Sequence, residues 1–203
     1  MIYSEIKSLA LSYADREDAE VSNKLDSFLR IVESRINRFL RVQKMSAIAL
    51  ISTIADQEYY ALPPDFNGLR DIEISDSTTS DTKITLKYLN PEQMNNVTED
   101  YTNIYYAIIG NRLQIKPAQE NKILEIIYYQ KLPELTSTDT ENWLSQDFPD
   151  AYVFGLMVEI SSFVKDMEAG VLWEQRFSDT LKAINLLDTK NRWSGTSLEI
   201  RSG

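Results

Sequence analysis

The chain has 203 residues, of which 43% are hydrophobic and 10% aromatic, and its formal net charge is −10. This length and hydrophobic content are sufficient to bury a core in one domain, or in one domain with an insertion. Because cysteine and histidine are both absent, we exclude disulfides, thiolate nucleophiles, histidine general bases and zinc sites built from these residues.

The amino terminus and the apolar runs argue against a signal peptide and against a membrane span. Glu5 and Lys7 lie where a signal peptide would have its apolar core. The longest apolar runs, such as AIALI and YVFGLMV, are much shorter than the roughly 20 residues that a spanning helix needs. We therefore expect a soluble protein that makes no contact with a membrane.

Charge is distributed unevenly along the chain. Residues 46–150 contain 17 acidic and 7 basic side chains, whereas the first 45 residues have a net charge of +1 and the last 53 have a net charge of −1. Most of the negative charge therefore lies in the middle of the sequence.

Residues 1–45 have the apolar spacing of two helices. The first helix is indicated by one face that contains Ile6, Leu9, Ala10 and Tyr13. The second has apolar residues at steps of three and four; these are Leu25, Phe28, Leu29, Val32, Ile36, Phe39 and Leu40. The acidic stretch DREDAE between them is typical of a solvated turn, so we predict an antiparallel helix pair.

Residues 46–141 have a different pattern, in which short β-branched and aromatic runs alternate with turn residues. These runs are SAIALIST, EYYALP, LRDIEIS, ITLKYL, YYAIIGNRLQIKP and ILEIIYYQKLP. Together they predict a small antiparallel β-subdomain inserted between helices. IIGNRLQI is the clearest hairpin, with Gly110 and Asn111 at its tip.

The helical period returns over residues 142–192, where Pro149 suits the first turn of a helix. A last helix follows, with an inner stripe of Trp173, Phe177, Leu181, Ile184 and Leu187. Residues 193–203 have no helical period, and we predict that they form an extended C-terminal arm. The expected fold class is α+β: a helical bundle made from the N- and C-terminal helix pairs, with the β-subdomain inserted and the arm appended.

The chain lacks the motifs of the common catalytic and cofactor-binding sites. Its six glycines lie at positions 68, 110, 155, 170, 195 and 203, so neither a dinucleotide fingerprint nor a P-loop can be formed. The acidic patches lack the spacing of a calcium loop. We predict no catalytic residue, no cofactor, no metal and no enzymatic activity. One enzymatic alternative stays open, a glycan hydrolase that uses an Asp/Glu pair about 5–10 Å apart.

The segment from residue 30 to residue 44 contains five basic side chains but only one acidic side chain, Glu33. They are Arg30, Arg35, Arg38, Arg41 and Lys44. On a continuous helix, Arg30, Arg41 and Lys44 would fall within about 60° of one another, opposite the apolar stripe, and the other two would flank it. These bases are interpreted in three ways: as a solvated face that meets acids of a neighbouring segment, as a contact with another copy or a larger partner, or as a weak phosphate contact. Tight nucleic-acid binding is disfavoured, because a chain at −10 repels the polymer elsewhere.

An ordered series of segments carries a resemblance to a known family. Among them are the Y-x-L-P-x-D-F turn (Tyr60 to Phe66), the Asn142-Trp143 pair ahead of Pro149-Asp150, and the terminal Arg192-Trp193-Ser194-Gly195. Within residues 30–195 this order and spacing resembles the head-to-tail adaptors of short-tailed phages, also described as portal adaptors or head-tail connectors.

The resemblance implies a virion structural protein that forms a ring, usually of twelve copies, between the portal and the tail nozzle or hub. Such a ring seals and continues the channel through which genomic DNA passes without sequence-specific binding. It belongs to the neck of the virion, after assembly in the host cytoplasm. Another tail or neck component would share this composition.

The resemblance also implies that a chain end grips the portal or the adjacent subunit. We assign this contact to Trp193, Leu198, Ile200 and Arg201 of the arm. The arm could alternatively fold back on its own bundle. We favour docking on a partner, because Gly195 and its polar neighbours interrupt the helical pattern before the apolar residues.

Overall fold

The structure, a computed structural model, describes residues 1–16, 18–97 and 103–193. The chain folds into two units. The helical unit contains Met1–Lys44 and the chain from Leu132 onwards, and the β unit contains Met45–Lys131. The predicted α+β class is confirmed. Residues 132–141, which the sequence placed in the β-rich insertion, belong to the helical unit.

The chain begins with three helices, α1 over Tyr3–Ala14, α2 over Ala19–Ser22 and α3 over Leu25–Phe39. The predicted apolar stripe of α3 is buried from Leu25 to Ile36. The helix ends at Phe39, because Leu40 adopts an extended backbone conformation with φ −77° and ψ 135°. A 3₁₀ turn over Gln43–Met45 follows. The prediction of a continuous helix through Lys44 is therefore wrong.

In its described residues, 45–97 and 103–131, the β unit contains eight strands and one short helix. The strands are β1 (Ser46–Ser52), β2 (Tyr59–Ala61), β3 (Phe66–Ser75), β4 (Lys83–Thr85), β5 (Lys87–Tyr88), β6 (Tyr105–Ile109), β7 (Arg112–Lys116) and β8 (Ile123–Gln130). Helix α4 (Pro91–Met94) lies between β5 and β6. Every apolar run that the sequence analysis assigned to a strand contains at least one.

The strands form two four-stranded sheets, in the orders β1-β8-β3-β4 and β2-β7-β6-β5. Both contribute to one core, which includes Ile72 and Ile126 of the first sheet and Leu113 of the second. The sequence predicted one antiparallel sheet, but β5 and β6 pair in parallel. The long connection through α4 makes this possible, since parallel neighbours require a crossover rather than a tight turn.

The predicted hairpin is confirmed between β6 and β7, where Ile109 pairs with Arg112. Gly110 has a φ of +61°, a left-handed conformation that glycine adopts without a steric penalty. The two residues at the tip are those that the sequence indicated.

The helical unit is completed by α5 (Trp143–Asp147), α6 (Pro149–Phe163) and α7 (Met167–Trp193). Asn142 caps α5 by accepting a hydrogen bond from the Ser145 N–H at 2.9 Å, and Pro149 lies in the first turn of α6 as predicted.

Helix α6 is the centre of the helical unit. Helices α1, α3 and α7 all pack mainly against it. The N-terminal helices were predicted to pair with each other, but each has its main contacts with α6, and a Lys7–Asp26 ion pair at 2.7 Å links α1 to α3. The reason lies in the composition of α6, whose buried residues surround its axis, so that it offers apolar surface to several neighbours.

Gly155 of α6 allows a close approach to its neighbours. A Cβ atom at this position would lie 2.5 Å from Cγ1 of Val32 in α3 and 3.1 Å from the Phe177 ring in α7. Both side chains are buried, and a β-branched valine has little rotamer freedom in a helix. The three helices therefore require the absence of a side chain at residue 155.

We predict that Gly155→Ala is less stable than Gly170→Ala by about 1–3 kcal/mol, the usual cost of overpacking a core. Gly170 in α7 is the matched control, because a Cβ there would meet Ser161 at an ordinary 3.7 Å. Replacing glycine by alanine stabilises a helix by up to about 1 kcal/mol at either position. The difference in stability between the two variants therefore measures the packing cost alone. Urea unfolding of both variants measures it, and equal stabilities would contradict the close approach.

Candidate interaction surfaces

Arg35 of α3 is neutralised within its own helical unit. Its guanidinium donates to both carboxylate oxygens of Glu174 at 2.5 and 2.7 Å, and to Glu159 at 3.5 Å. It also lies 4.9 Å from the centre of the Phe177 ring. A single guanidinium nitrogen, Nη2, makes both contacts with Glu174, and these charge-assisted hydrogen bonds and the ring contact hold the planar group in place. Arg35 therefore ties α3 to α6 and α7, and its charge meets acids of neighbouring helices in the same chain.

Arg41 and Lys44 also have partners in the helical unit. Arg41 donates to the backbone carbonyl oxygens of Asn37 and Leu40, each at 2.6 Å. The Asn37 carbonyl belongs to the last turn of α3, which lacks partners within the helix. Lys44 forms an ion pair with Asp147 and lies 5.8 Å from the centre of the Trp143 ring. Both bases thus help to fix the chain where it leaves α3.

Arg30 and Arg38 remain as the outward-facing bases of α3. Both side chains are exposed, and the Arg38 Nε donates only weakly to the Ser34 carbonyl oxygen, at 3.4 Å. Eight residues of helix separate them by about 12 Å along the axis. The predicted single face of five bases is wrong, because α3 ends before Arg41. The role of these five residues in binding a partner stays a prediction.

A groove of about 530 Å³ lies beside the last turns of α7. Its lining residues are Val42, Gln43, Lys44, Trp143, Asp147, Phe148, Ile184, Leu187, Asp188 and Asn191. No sequence pattern indicated this groove, although Leu187 was predicted to be the last residue of the inner stripe. Leu187 is 44% exposed, so the stripe continues past the buried part of α7 and supplies an apolar wall.

The residues assigned to the C-terminal arm are only partly within the described chain. Trp193 is the last residue of α7, whereas the sequence placed it at the start of the arm. Leu198, Ile200 and Arg201 lie outside the described residues. Their proposed contact with a partner stays a prediction.

The segment between the β unit and α5 is anchored by Glu33, which is 4% exposed. The Glu33 carboxylate accepts a hydrogen bond from the Leu135 N–H at 2.7 Å and another from the Tyr152 hydroxyl. Asn142 donates to that hydroxyl at 2.8 Å and to the Pro133 carbonyl oxygen at 2.7 Å. Burial raises the pKa of Glu33 to about 7. The sequence analysis counted Glu33 only as the one acid among five bases.

The family model for the SU10 adaptor protein matches residues 1–201 of the chain. The chain belongs to the SU10 adaptor protein family. The resemblance to phage head-to-tail adaptors is thereby confirmed. No curated protein matches the chain.

Membership in the SU10 adaptor family gives the chain a structural role as a phage adaptor and head-tail connector. It places the protein in the virion, in contact with other virion components. Among the described residues, no helix is long and apolar enough to cross a membrane.

For this adaptor, the acid-pair alternative can be examined at a cleft that is lined by Asp26 and Glu33 of α3. Hydrogen bonds from Lys7 and Tyr3 lower the pKa of Asp26, whereas burial raises that of Glu33. Opposite shifts are typical of catalytic acid pairs. However, the cleft has a volume of about 180 Å³, below the roughly 300 Å³ of small ligand pockets. The Glu33 carboxylate is also occupied by the backbone of the 132–142 segment, so we interpret it as structural.

The described residues contain no group of three or more acidic side chains that could hold a metal ion. The surfaces that the described residues offer to a partner are two exposed arginines on α3 and an apolar groove beside the last turns of α7.

We predict that stability falls as the pH rises from about 4.5 to about 7, because folded Glu33 retains its proton in this range and the unfolded chain does not. The decrease amounts to at most about 3 kcal/mol. Glu33→Gln removes the titrating group, so its stability should be nearly independent of pH over this range. Urea unfolding at several pH values measures the slope.

The matched control is Glu134→Gln, which changes an exposed carboxylate one residue from Leu135. This variant should retain most of the slope of the unaltered protein. Identical slopes in Glu33→Gln and the unaltered protein would contradict the assignment of the transition to Glu33.

Proposed function

We propose that the chain is a head-to-tail adaptor that assembles as a ring, of about twelve copies by family resemblance, between the portal and the tail nozzle or hub. In this position it seals and continues the channel for genomic DNA. The observation that carries the proposal is the family match over residues 1–201. Assembly takes place in the host cytoplasm, and the ring remains in the neck of the virion.

The distribution of charge supports a channel through which DNA slides. The net charge is −10, and Arg35 and Lys44 are paired with acids of the same chain. Neutralised phosphates are the main source of affinity for duplex DNA, and these pairs reduce the positive charge available for such contacts. An acidic surface repels the duplex and allows it to pass without sticking.

Apolar surface on the helical unit supports contacts with other subunits. Met167 and Val171, one turn apart on α7, are 73% and 69% exposed. The groove beside the end of α7 adds the exposed Leu187 and the ring of Trp143. Apolar patches of this kind on soluble proteins commonly mark interaction sites.

The C-terminal segment is proposed as the arm that binds the portal or a neighbouring copy. Its contacts are assigned to Trp193, Leu198, Ile200 and Arg201. Helix α7 ends at Trp193, two residues after Asn191, which lines the groove. An extended segment of this kind can order on its partner by adding to a sheet or by filling a groove.

The first test is the native mass of the purified protein alone and with its portal. We expect a monomer or small oligomer alone, and a stoichiometric ring on the portal, because subunits with a net charge of −10 repel one another unless a template holds them together. Native mass spectrometry measures both states. A protein that stays unbound in the presence of the portal would contradict the proposal.

The second test addresses the exposed bases of α3. We predict that Arg30→Glu with Arg38→Glu raises the concentration needed for ring assembly by about tenfold or more, since opposite charges at interfaces steer and stabilise association. The control is Lys24→Glu with Lys182→Glu, which changes the net charge equally at other exposed positions. Unaltered rings with changed retention of DNA would contradict a subunit contact and indicate that these arginines face the channel.

A further inference from the structure

One sheet edge of the β unit is unlike the other three. Strands β4, β2 and β5 are edges of two or three residues, as is usual for proteins that avoid unwanted strand pairing. Strand β1 is also an edge but has seven residues, SAIALIS, without a charge or a proline. Within the described ranges it pairs with β8 on one side and with no strand on the other.

The outer face of β1 is apolar and uncovered. Ile48 and Leu50 are 64% and 55% exposed. Ile48 pairs with Ile127 of β8, and Ser46 pairs with Tyr129; both β8 side chains are half-buried. Leu50 pairs with Glu125, and Arg70 donates to the Ser46 hydroxyl at 2.5 Å and lies over the Tyr129 ring, so the apolar surface consists of Ile127, Ile48 and Leu50. It reaches the free edge, where unpaired backbone N–H and C=O groups are available to another strand.

The sequence that follows α7 has the pattern of a strand with one apolar face. In Thr196–Ser202 the apolar Leu198 and Ile200 alternate with Ser197, Glu199 and Arg201. Strict alternation is typical of a half-buried strand. This stretch contains no proline and has seven residues, the same number as β1.

The two sequences are complementary as neighbouring strands. When Leu198 and Ile200 lie beside Ile48 and Leu50, apolar side chains cover each other on the outer face. The longer Glu199 and Arg201 then lie beside Ala47 and Ala49, whose small side chains leave room at the margin of the sheet. Backbone hydrogen bonds supply the remaining affinity, as in other cases of strand addition.

Ring symmetry decides which copy supplies the strand. An edge that pairs with the same edge of another copy forms a two-fold dimer and stops there. A ring requires two different surfaces on each subunit, one that donates and one that accepts. The C-terminal segment and the β1 edge are two such surfaces.

We propose that the β1 edge binds Thr196–Ser202 of the neighbouring copy as a fifth strand of the β1-β8-β3-β4 sheet. This inference rests on the proposed ring and names the acceptor of the arm within it. Leu198 and Ile200 face Ile48 and Leu50 across the contact.

Cysteine cross-linking tests the contact on a background that contains no native cysteine. One tagged protein carries Ile48→Cys or Leu50→Cys, and a second carries Leu198→Cys or Ile200→Cys. The two are mixed, assembled on the portal and oxidised. We expect a disulfide between differently tagged copies for at least one of the four pairings, and loss of this product without the portal.

Two controls define the background of this experiment. Glu199→Cys places the thiol on the opposite side of the added strand, and Val171→Cys places it on α7 at a site as exposed as Ile48. Each should cross-link at least tenfold less with Leu50→Cys than the best of the four pairings does. Equal yields in controls and test pairs would overturn the inference.

Three further outcomes separate this inference from the ring itself. Rings that form on the portal without a specific cross-link overturn the strand contact and leave the ring intact. An intrachain disulfide in a monomer that carries both cysteines overturns it as well, because the segment then binds its own sheet. Absence of rings, measured by native mass before oxidation, contradicts the proposed function and the inference together.

A charge on the edge provides an independent measurement. Leu50→Lys should reduce ring formation on the portal at least tenfold, whereas Ile84→Lys, at a similarly exposed apolar position on β4 at the opposite edge of the same sheet, should not. Combining Leu50→Lys with Leu198→Glu should restore assembly by pairing opposite charges across the strands. Normal assembly of Leu50→Lys would overturn the inference.

Discussion

The packing of α6 is the constraint on which the helical unit depends. This helix begins at Pro149 and buries residues on all sides, so it cannot lie at the surface. Gly155 allows α3 and α7 to approach it at the same level, because a Cβ there would lie within 3.1 Å of both Val32 and Phe177. The positions of Arg30, Arg35 and Arg38 follow from this contact, since they belong to the helix that it fixes.

Helix packing also determines which charges are available to a partner. Arg35 lies over Phe177 and between two glutamates, so the contact that brings α3 close to α7 also neutralises its charge. Arg41 binds carbonyls where α3 ends. The basic sequence therefore serves mainly to join elements of one subunit. Within α3 its outward-facing bases are Arg30 and Arg38, which is a modest positive surface for a protein proposed to surround DNA.

Most helices and strands were predicted from the sequence, because the spacing of apolar residues shows which face of a helix or strand is buried. The strand runs, the Gly110-Asn111 turn and the start of α6 at Pro149 are local signals of this kind. The end of α3 at Phe39 has no such signal: neither glycine nor proline follows, and the residues that hold the turn, Asn185 and Asp188, come from α7. The network around Glu33 was likewise not predictable, since Leu135 and Tyr152 meet it through the tertiary fold.

The β unit has a free edge at β1, which is proposed to bind a strand of another copy, and a net negative charge, which repels other copies. Residues 45–131, which form this unit, have 12 acids against 7 bases, so copies repel one another over the length at which charges are screened, about 8–10 Å in physiological salt. The β1 edge is uncharged and acts only at contact. Two copies can therefore bind each other when a third component holds them close enough for the β1 edge to make contact. In the proposed ring the portal has this role, and repulsion keeps an exposed strand from pairing at random before assembly.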